Sequence, residues 1–298
     1  MSEPATTDPG PAPAPSAEPG RPPWHTYAAV ALLAALVFLA FHDFLSWVVE
    51  RWWHDEYYGH GLLIPPLSAY LIYRQWPRLA ALGGGGYGKG LWLMAGGLLL
   101  HIAAIYYGAN FASGFALIAV LYGLVIWLLG WPRARALAFA FAFLGFAVPL
   151  TRGLVDQFAQ PMQVFSAHGA ADLASVFGIP NQVDGVSIIT RDYTFKVAIP
   201  CSGLKSAIAM SALGALVAYM LEGPLWKRGL LFALSLPVAL AANLLRIFIT
   251  VILGNSLGPA AAEGFFHTAS GALVFILAFV GLLLVGGALG CRQMREDF

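Results

Sequence analysis

Several stretches of about 17–22 residues carry almost no charged side chains; the clearest are residues 27–48, 91–107 and 269–289. About 20 apolar residues is the length that an α-helix needs to cross the hydrocarbon core of a bilayer. Only 10% of the 298 residues are charged and 59% are hydrophobic, whereas a soluble domain has about 25% charged residues. The sequence therefore predicts an all-α polytopic membrane protein.

The hydropathy pattern predicts about eight transmembrane helices. They lie at roughly 27–48, 61–75, 91–107, 112–130, 134–150, 203–221, 229–252 and 267–290. With the N-terminus in the cytoplasm, ten Lys and Arg residues fall in the inside segments and four in the outside segments. The positive-inside rule thus predicts that both termini are cytoplasmic. The net charge of +1 gives no indication of a nucleic-acid partner.

The chain divides into three predicted regions. Residues 1–26 are rich in Pro and Ala and predict a disordered cytoplasmic tail. Residues 27–290 form the transmembrane domain, and residues 291–298 form a second cytoplasmic tail. Within the domain, residues 151–200 are too long for a simple connection and are predicted to face outward.

The outward segment 151–200 has two halves. The first alternates apolar residues such as Val155, Phe158 and Phe165 with polar residues such as Gln163, which predicts a helix lying in the membrane interface. The second half is rich in β-branched residues on both sides of Arg191-Asp192, which predicts a short hairpin that leads directly to Cys201.

Ionisable residues inside the spans indicate a functional site, because they are costly there. Lys205 lies in the sixth span, Arg246 in the seventh and His267 at the start of the eighth, while Cys201 directly precedes the sixth. The predicted topology brings all of them to the outer third of the bilayer. Lys205 is expected one turn below Cys201 on the same face, since residues i and i+4 align on a helix. Asn243 is three residues before Arg246 and shares its face.

These residue types suit thiol chemistry. In the segment Pro200-Cys201-Ser202-Gly203 the thiol stands at a helix N-terminus, where the dipole favours a thiolate. A histidine can accept the thiol proton, and an arginine can stabilise an oxyanion. The structural alternatives are that Cys201 fills a packing position, that His267 hydrogen-bonds at the interface and that Arg246 pairs with carbonyls or acidic lipid. No cofactor or metal site is predicted.

Two further residues receive predictions of lesser weight. His60, at the outer mouth of the second span, either orients substrate or simply begins a helix in the headgroup region. Cys291 is expected in the cytoplasm, so that it cannot form a disulfide with Cys201, which requires Cα atoms within about 7 Å.

Four stretches give the chain a resemblance to the exosortase/archaeosortase family, in its bacterial stand-alone form. They are YYGHGLLIPPLSAYLIYR (57–74), IPCSGLKS (199–206), ANLLRIFIT (242–250) and FFHTASG (265–271). The resemblance implies a bacterial inner-membrane cysteine transpeptidase with its active site on the periplasmic side. It implies Cys201 as nucleophile with Arg246 and His267 beside it, and Lys205, Asn243, Ser202 and His60 around them. Lys205 departs from the residues that many members carry.

The resemblance also implies a substrate class. Secreted proteins of this kind end in a short motif, commonly Pro-Glu-Pro, followed by an apolar helix and a basic tail. The enzyme is expected to cleave this signal through a thioester. A membrane transporter and a lipid-linked phosphatase remain as alternatives in which Cys201 is not catalytic.

Overall fold

The structure, a computed structural model, describes residues 24–83, 85–191, 194–258, 265–291 and 293–295. The side chains of residues 24–27, 200 and 265–270 are not among those described. Most of the predicted N-terminal tail, residues 1–26, therefore lies outside the described residues, as does Asp192 of the predicted hairpin turn.

Nine α-helices are present in the described part of the chain. They are α1 (Trp24–His54), α2 (Ile64–Ala81), α3 (Lys89–Tyr106), α4 (Asn110–Leu129), α5 (Trp131–Phe143), α6 (Arg152–Val176), α7 (Leu204–Met220), α8 (Leu225–Leu257) and α9 (Phe265–Ala288). Three short 3-10 helices, Gly59–Leu63, Leu144–Ala147 and Ile199–Cys201, lie between them. The chain forms two compact units, Met1–His42 and Asp43–Phe298, and the second contains every site described below.

Five of the described helices are long and apolar enough to cross a membrane. They are α1, α3, α4, α8 and α9, taken over Ala28–His54, Lys89–Tyr106, Asn110–Leu129, Leu225–Leu257 and Gly271–Ala288. A sixth is added if residues Trp131–Ala147 and Arg152–Val176, which meet at an angle of 83°, count as one broken span. The prediction of an all-α polytopic membrane protein is confirmed, while the count of eight spans stays a prediction.

The predicted hairpin before α7 is present as part of a larger sheet. Strands β1 (Asn181–Asp184), β2 (Ser187–Thr190) and β3 (Thr194–Lys196) form an antiparallel sheet in the order β1-β2-β3. The predicted hairpin is β2–β3, with Ile188 opposite Phe195. Strand β1 was not predicted, because Asn181–Asp184 is too polar and too short to show the alternation of a strand.

Helix α6 packs against the rest of the protein mainly through small residues. Its buried residues are mostly alanines of one stripe, Ala159, Ala167, Ala170 and Ala174 among them, whereas Phe158 and Phe165 are exposed. Gln163, predicted on the polar face, is buried. Exposed phenylalanines are compatible with the predicted helix in the interface, whose apolar side chains face lipid, and the small residues of the stripe let α6 approach its neighbours closely. The location of α6 in the interface stays a prediction.

Glycines allow a close helix contact between α3 and α4. A side chain at Gly97 would meet Val120 Cγ2 at 2.8 Å and the Ala116 carbonyl oxygen at 3.0 Å. At the neighbouring Gly96 nothing lies within 4 Å of a Cβ atom. Gly97 therefore faces α4 and Gly96 faces away from it.

We expect Gly97→Leu to lower the free energy of unfolding by about 1–3 kcal/mol, because the added side chain overpacks the contact with α4. Gly96→Leu, one residue away in the same helix, is the matched control and should leave stability nearly unchanged. Denaturant titration of both variants in the same detergent measures the difference. Equal losses in the two variants would show that helix propensity, and not the contact, is responsible.

Candidate active site

The thiol of Cys201 is presented by a short turn between the sheet and α7. Cys201 ends the 3-10 helix Ile199–Cys201, its backbone N–H donates to the Ala198 carbonyl at 2.8 Å, and α7 begins three residues later. The residue is only 5% exposed. It packs in a cluster built from the alanine face of α6, the inner face of the sheet and residues Ile247, Phe248 and Val251 of α8.

Asn243 of α8 fixes the backbone of this turn. Its side-chain Nδ2 donates to the Cys201 carbonyl oxygen at 3.1 Å and to Ser166 Oγ of α6 at 3.4 Å, and the residue is 1% exposed. Ser166 Oγ in turn donates to the Ser202 carbonyl at 3.4 Å. Helices α6 and α8 thus hold consecutive carbonyls of the cysteine turn in a buried, polar network.

Gly203 connects the turn to α7 in a conformation that favours glycine. Its φ is +90°, in the left-handed region. A Cβ atom here would lie 2.8 Å from Asn243 Nδ2. Both the backbone angle and the space therefore demand glycine beside the network that holds Cys201.

Arg246 of α8 lies against the first two turns of α9. It lies one helical turn after Asn243, and its guanidinium carbon lies 3.7 Å from the position of a Cβ atom on Gly271. His267 is four residues before Gly271, in the first turn of α9, and its side chain is not among those described. The structure brings Arg246 towards Cys201 and places the backbone of His267 one turn from the Arg246 contact.

Two opposing effects set the acidity of the thiol. Burial raises the pKa of Cys201 above its ordinary value, the Arg246 guanidinium lowers it, and Glu56 raises it again. The net shift is upward, so the thiol is protonated at neutral pH and its reaction needs a proton acceptor. The predicted thiolate at a helix N-terminus does not follow from these surroundings, since burial outweighs the positive charge.

Lys205 and His60 line a cavity whose described lining residues do not include Cys201. Because Gly203 interrupts the helix between residues 201 and 205, the predicted i, i+4 alignment of Cys201 and Lys205 is wrong. Lys205 is exposed and lines a cavity of about 420 Å³ together with His60 and residues 52–57. Burial lowers the pKa of His60, and Lys205 lowers it further, so this imidazole is neutral at pH 7.

A larger cavity of about 630 Å³ lies between the end of α1, the start of α6 and Ile199, two residues before Cys201. We call it the thiol-side cavity. Side chains of both signs line it: Glu50, Arg51, Asp55, Glu56, Arg152 and Asp156. Arg51 pairs with Asp55 at 3.1 Å. The cavity is large enough for several residues of an extended peptide and offers partners for polar groups of either sign.

No group of three or more His, Cys, Asp or Glu side chains within the described ranges could hold a metal ion. The two cysteines of the chain are both buried, and neither is part of a disulfide. Cys291 lies near Gly223, at the end of α7 that is far from Cys201, with its sulfur 2.9 Å from a Cβ position on that glycine. The prediction that the two cysteines do not form a disulfide is confirmed.

The sequence profile of the transmembrane exosortase family matches residues 52–284, which include the cysteine turn, α8 and most of α9. The chain belongs to the transmembrane exosortase family. No curated protein and no solved structure matches it.

Several residues around Cys201 were missed in the sequence. Ser166 and Gln163 lie three residues apart on α6, and the Gln163 amide donates to the Val197 carbonyl just before the cysteine turn. Their spacing places both side chains on one face of α6. The sequence predicts that this face is polar and exposed, whereas in the structure it is buried. Tyr57 lines the thiol-side cavity, and its buried hydroxyl has no hydrogen-bond partner among the described residues.

An alanine held in the left-handed region costs about 1–3 kcal/mol. We expect Gly203→Ala to lower the free energy of unfolding by more than this, because the added methyl group also displaces Asn243. Gly178→Ala is the matched control, since Gly178 has a φ of +78° with nothing within 4 Å of a Cβ atom. Unfolding in detergent measures both. Equal losses would mean that the Asn243 contact adds nothing.

Replacing Arg246 by Met should slow alkylation of Cys201 several-fold at pH 8. The guanidinium lowers the pKa of the thiol, so its loss raises that pKa and reduces the thiolate fraction. The onset of alkylation should move to higher pH. The measurement is the rate of modification by a small thiol reagent in a Cys291→Ser background. Lys205→Met serves as control and should leave the rate unchanged. An unaltered rate in Arg246→Met would show that the guanidinium does not affect the acidity of the Cys201 thiol.

Proposed function

We propose that this exosortase is a membrane-embedded cysteine transpeptidase that cleaves the C-terminal sorting signal of secreted proteins, with Cys201 as nucleophile. The observation that carries the proposal is the position of Cys201. Its carbonyl is fixed by Asn243 of α8 at 3.1 Å, and the same helix presents Arg246 one turn later. The thiol therefore lies on a rigid support beside a cationic donor and next to a peptide-sized cavity.

The reaction begins with transfer of the Cys201 proton to His267, the base that the family resemblance supplies. The thiolate attacks the carbonyl carbon of the scissile peptide bond, forming a C–S bond and moving an electron pair to the carbonyl oxygen. Arg246 donates hydrogen bonds to this oxyanion. The C–N bond then breaks as His267 returns the proton to the leaving amine. An amine or water attacks the resulting thioester and frees the Cys201 thiol.

Tyr57 is the second donor that we assign to the oxyanion. Its hydroxyl is buried and lacks a partner among the described residues, and Cys201 contributes to raising its pKa, after burial and the neighbouring carboxylates. A neutral phenol close to the sulfur can donate to the tetrahedral intermediate. A buried hydroxyl without a partner is unfavourable, and the oxyanion would supply the missing acceptor.

The thiol-side cavity is where we place the sorting motif. Arg152 at the start of α6 would pair with the carboxylate of a Pro-Glu-Pro-type motif, because Arg51 already pairs with Asp55. The apolar helix that follows the motif would lie against the exposed apolar faces of the spans. Its basic end would then be at the cytoplasmic surface of a bacterial inner membrane, in accord with the positive-inside rule.

The membrane orientation belongs to the same proposal. Eight spans require α2, α5 and α7 to cross in addition to the five long helices. Helix α7 has 17 residues, or about 25 Å, and α5 continues through the 3-10 helix to Ala147. Cys201 lies at one end of α7, and Arg78, Arg135 and Arg295 gather at the other. The arginine end would be cytoplasmic and the thiol end periplasmic.

Replacing Cys201 by Ala should abolish removal of a Pro-Glu-Pro-type tail from a co-expressed reporter, because no other group can form the thioester. Cys291→Ala, the matched control, should process like the wild type. A gel shift of the reporter measures both. Equal processing by wild type and Cys201→Ala would contradict the role of Cys201 as nucleophile. It would favour a transporter or a lipid-linked phosphatase, neither of which needs this thiol.

A further inference from the structure

A second cavity, of about 320 Å³, lies at the end of α7 opposite Cys201. We call it the arginine cavity. Arg78 of α2, Arg135 of α5 and Arg295 of the C-terminal segment line it. Tyr219, near the end of α7, also lines it. Fifteen helical residues separate Leu204 from Tyr219, which places the cavity about 23 Å from the cysteine turn.

The floor of the arginine cavity is polar and rigid. Gln75 is only 6% exposed, and its Nε2 donates to Tyr219 Oη at 2.9 Å. The Tyr219 ring stacks on Phe139 with centroids 3.8 Å apart. Gln75 Oε1 is buried and accepts no hydrogen bond from any described residue. Since buried acceptors are almost always satisfied, this oxygen indicates a donor that comes from a ligand.

The surroundings of the arginine cavity indicate the bilayer as the source of this ligand. Leu82 and Phe139 give the cavity apolar sides, and Tyr73 and Trp76 on the neighbouring surface of α2 are 73% and 63% exposed. Exposed Tyr and Trp near helix ends are typical of the headgroup level of a membrane. Basic pockets between transmembrane helices on the cytoplasmic side suit anionic lipid headgroups.

We propose that the arginine cavity binds the headgroup of an anionic glycerophospholipid, with the phosphate on the guanidinium groups and a headgroup hydroxyl donating to Gln75 Oε1. Guanidinium groups bind phosphate oxygens in a bidentate manner. A glycerol headgroup supplies the hydroxyl donor, so phosphatidylglycerol satisfies both halves of the site. Phosphatidylcholine has no donor and brings a positive charge towards the arginines, and phosphatidic acid lacks the headgroup hydroxyl.

The test uses the full-length protein in phosphatidylcholine nanodiscs that contain a minor fraction of phosphatidylglycerol, with retained lipid counted by native mass spectrometry. Arg78→Gln and Arg135→Gln should each reduce retention of phosphatidylglycerol about fivefold, the effect of about one cationic contact at the membrane surface. Arg74→Gln is the matched control, because Arg74 is exposed on the same helix and does not line the cavity. It should retain lipid like the wild type.

A second variant separates the two halves of the site. Gln75→Met removes the acceptor, and it should abolish the preference for phosphatidylglycerol over phosphatidic acid while retaining binding of both. Thermal unfolding without anionic lipid shows whether each variant still folds. Added phosphatidylglycerol should stabilise the wild type and Arg74→Gln but not Arg135→Gln.

Two results would overturn the proposal. An equal loss in Arg74→Gln would show a diffuse surface charge effect. Displacement of the lipid by sn-glycerol 1-phosphate at equal concentration would assign the cavity to a soluble phosphate.

Discussion

The hydrogen bond from Asn243 to the Cys201 carbonyl is the interaction on which the arrangement of the candidate site depends. It joins α8 to a turn that has little regular structure of its own, at 3.1 Å and in a buried environment. An unsatisfied buried amide costs about 1–3 kcal/mol, so the turn cannot move away from α8 without losing this energy. The position of the thiol relative to Arg246 is therefore set by a single helix.

Other features of the sequence make that bond possible. Gly203 leaves room for the amide, and the alanine stripe of α6 lets Ser166 approach closely enough to take part in the network. Strand β3 delivers the chain to the turn, and Gln163 of α6 holds the carbonyl of Val197 on the way. The sheet and the helices thus determine the geometry of the turn through small residues and buried polar contacts, and much less through large apolar side chains.

This dependence explains which predictions succeeded. Apolar length predicts the membrane class, because it follows from the bilayer as a solvent. The β-branched run predicts the β2–β3 hairpin for the same local reason that strands form elsewhere. The buried face of α6 and the register between Cys201 and Lys205 could not be predicted. Exposing Phe158 and Phe165 costs no free energy where these side chains face lipid. The left-handed conformation of Gly203 starts α7 in a new direction, so that Cys201 does not continue its register.

In the proposed mechanism, the charges around Cys201 stabilise the tetrahedral intermediate more than they stabilise the resting thiol. Burial keeps the thiol protonated, and Arg246 offsets this only in part. As the carbonyl is attacked, negative charge passes from sulfur to oxygen, where a fixed guanidinium and a neutral phenol can both donate. Groups that stabilise the intermediate more than the resting thiol lower the barrier. The same balance keeps the thiol unreactive until a carbonyl is bound, which suits a nucleophile that must discriminate between a sorting signal and other peptides in the membrane.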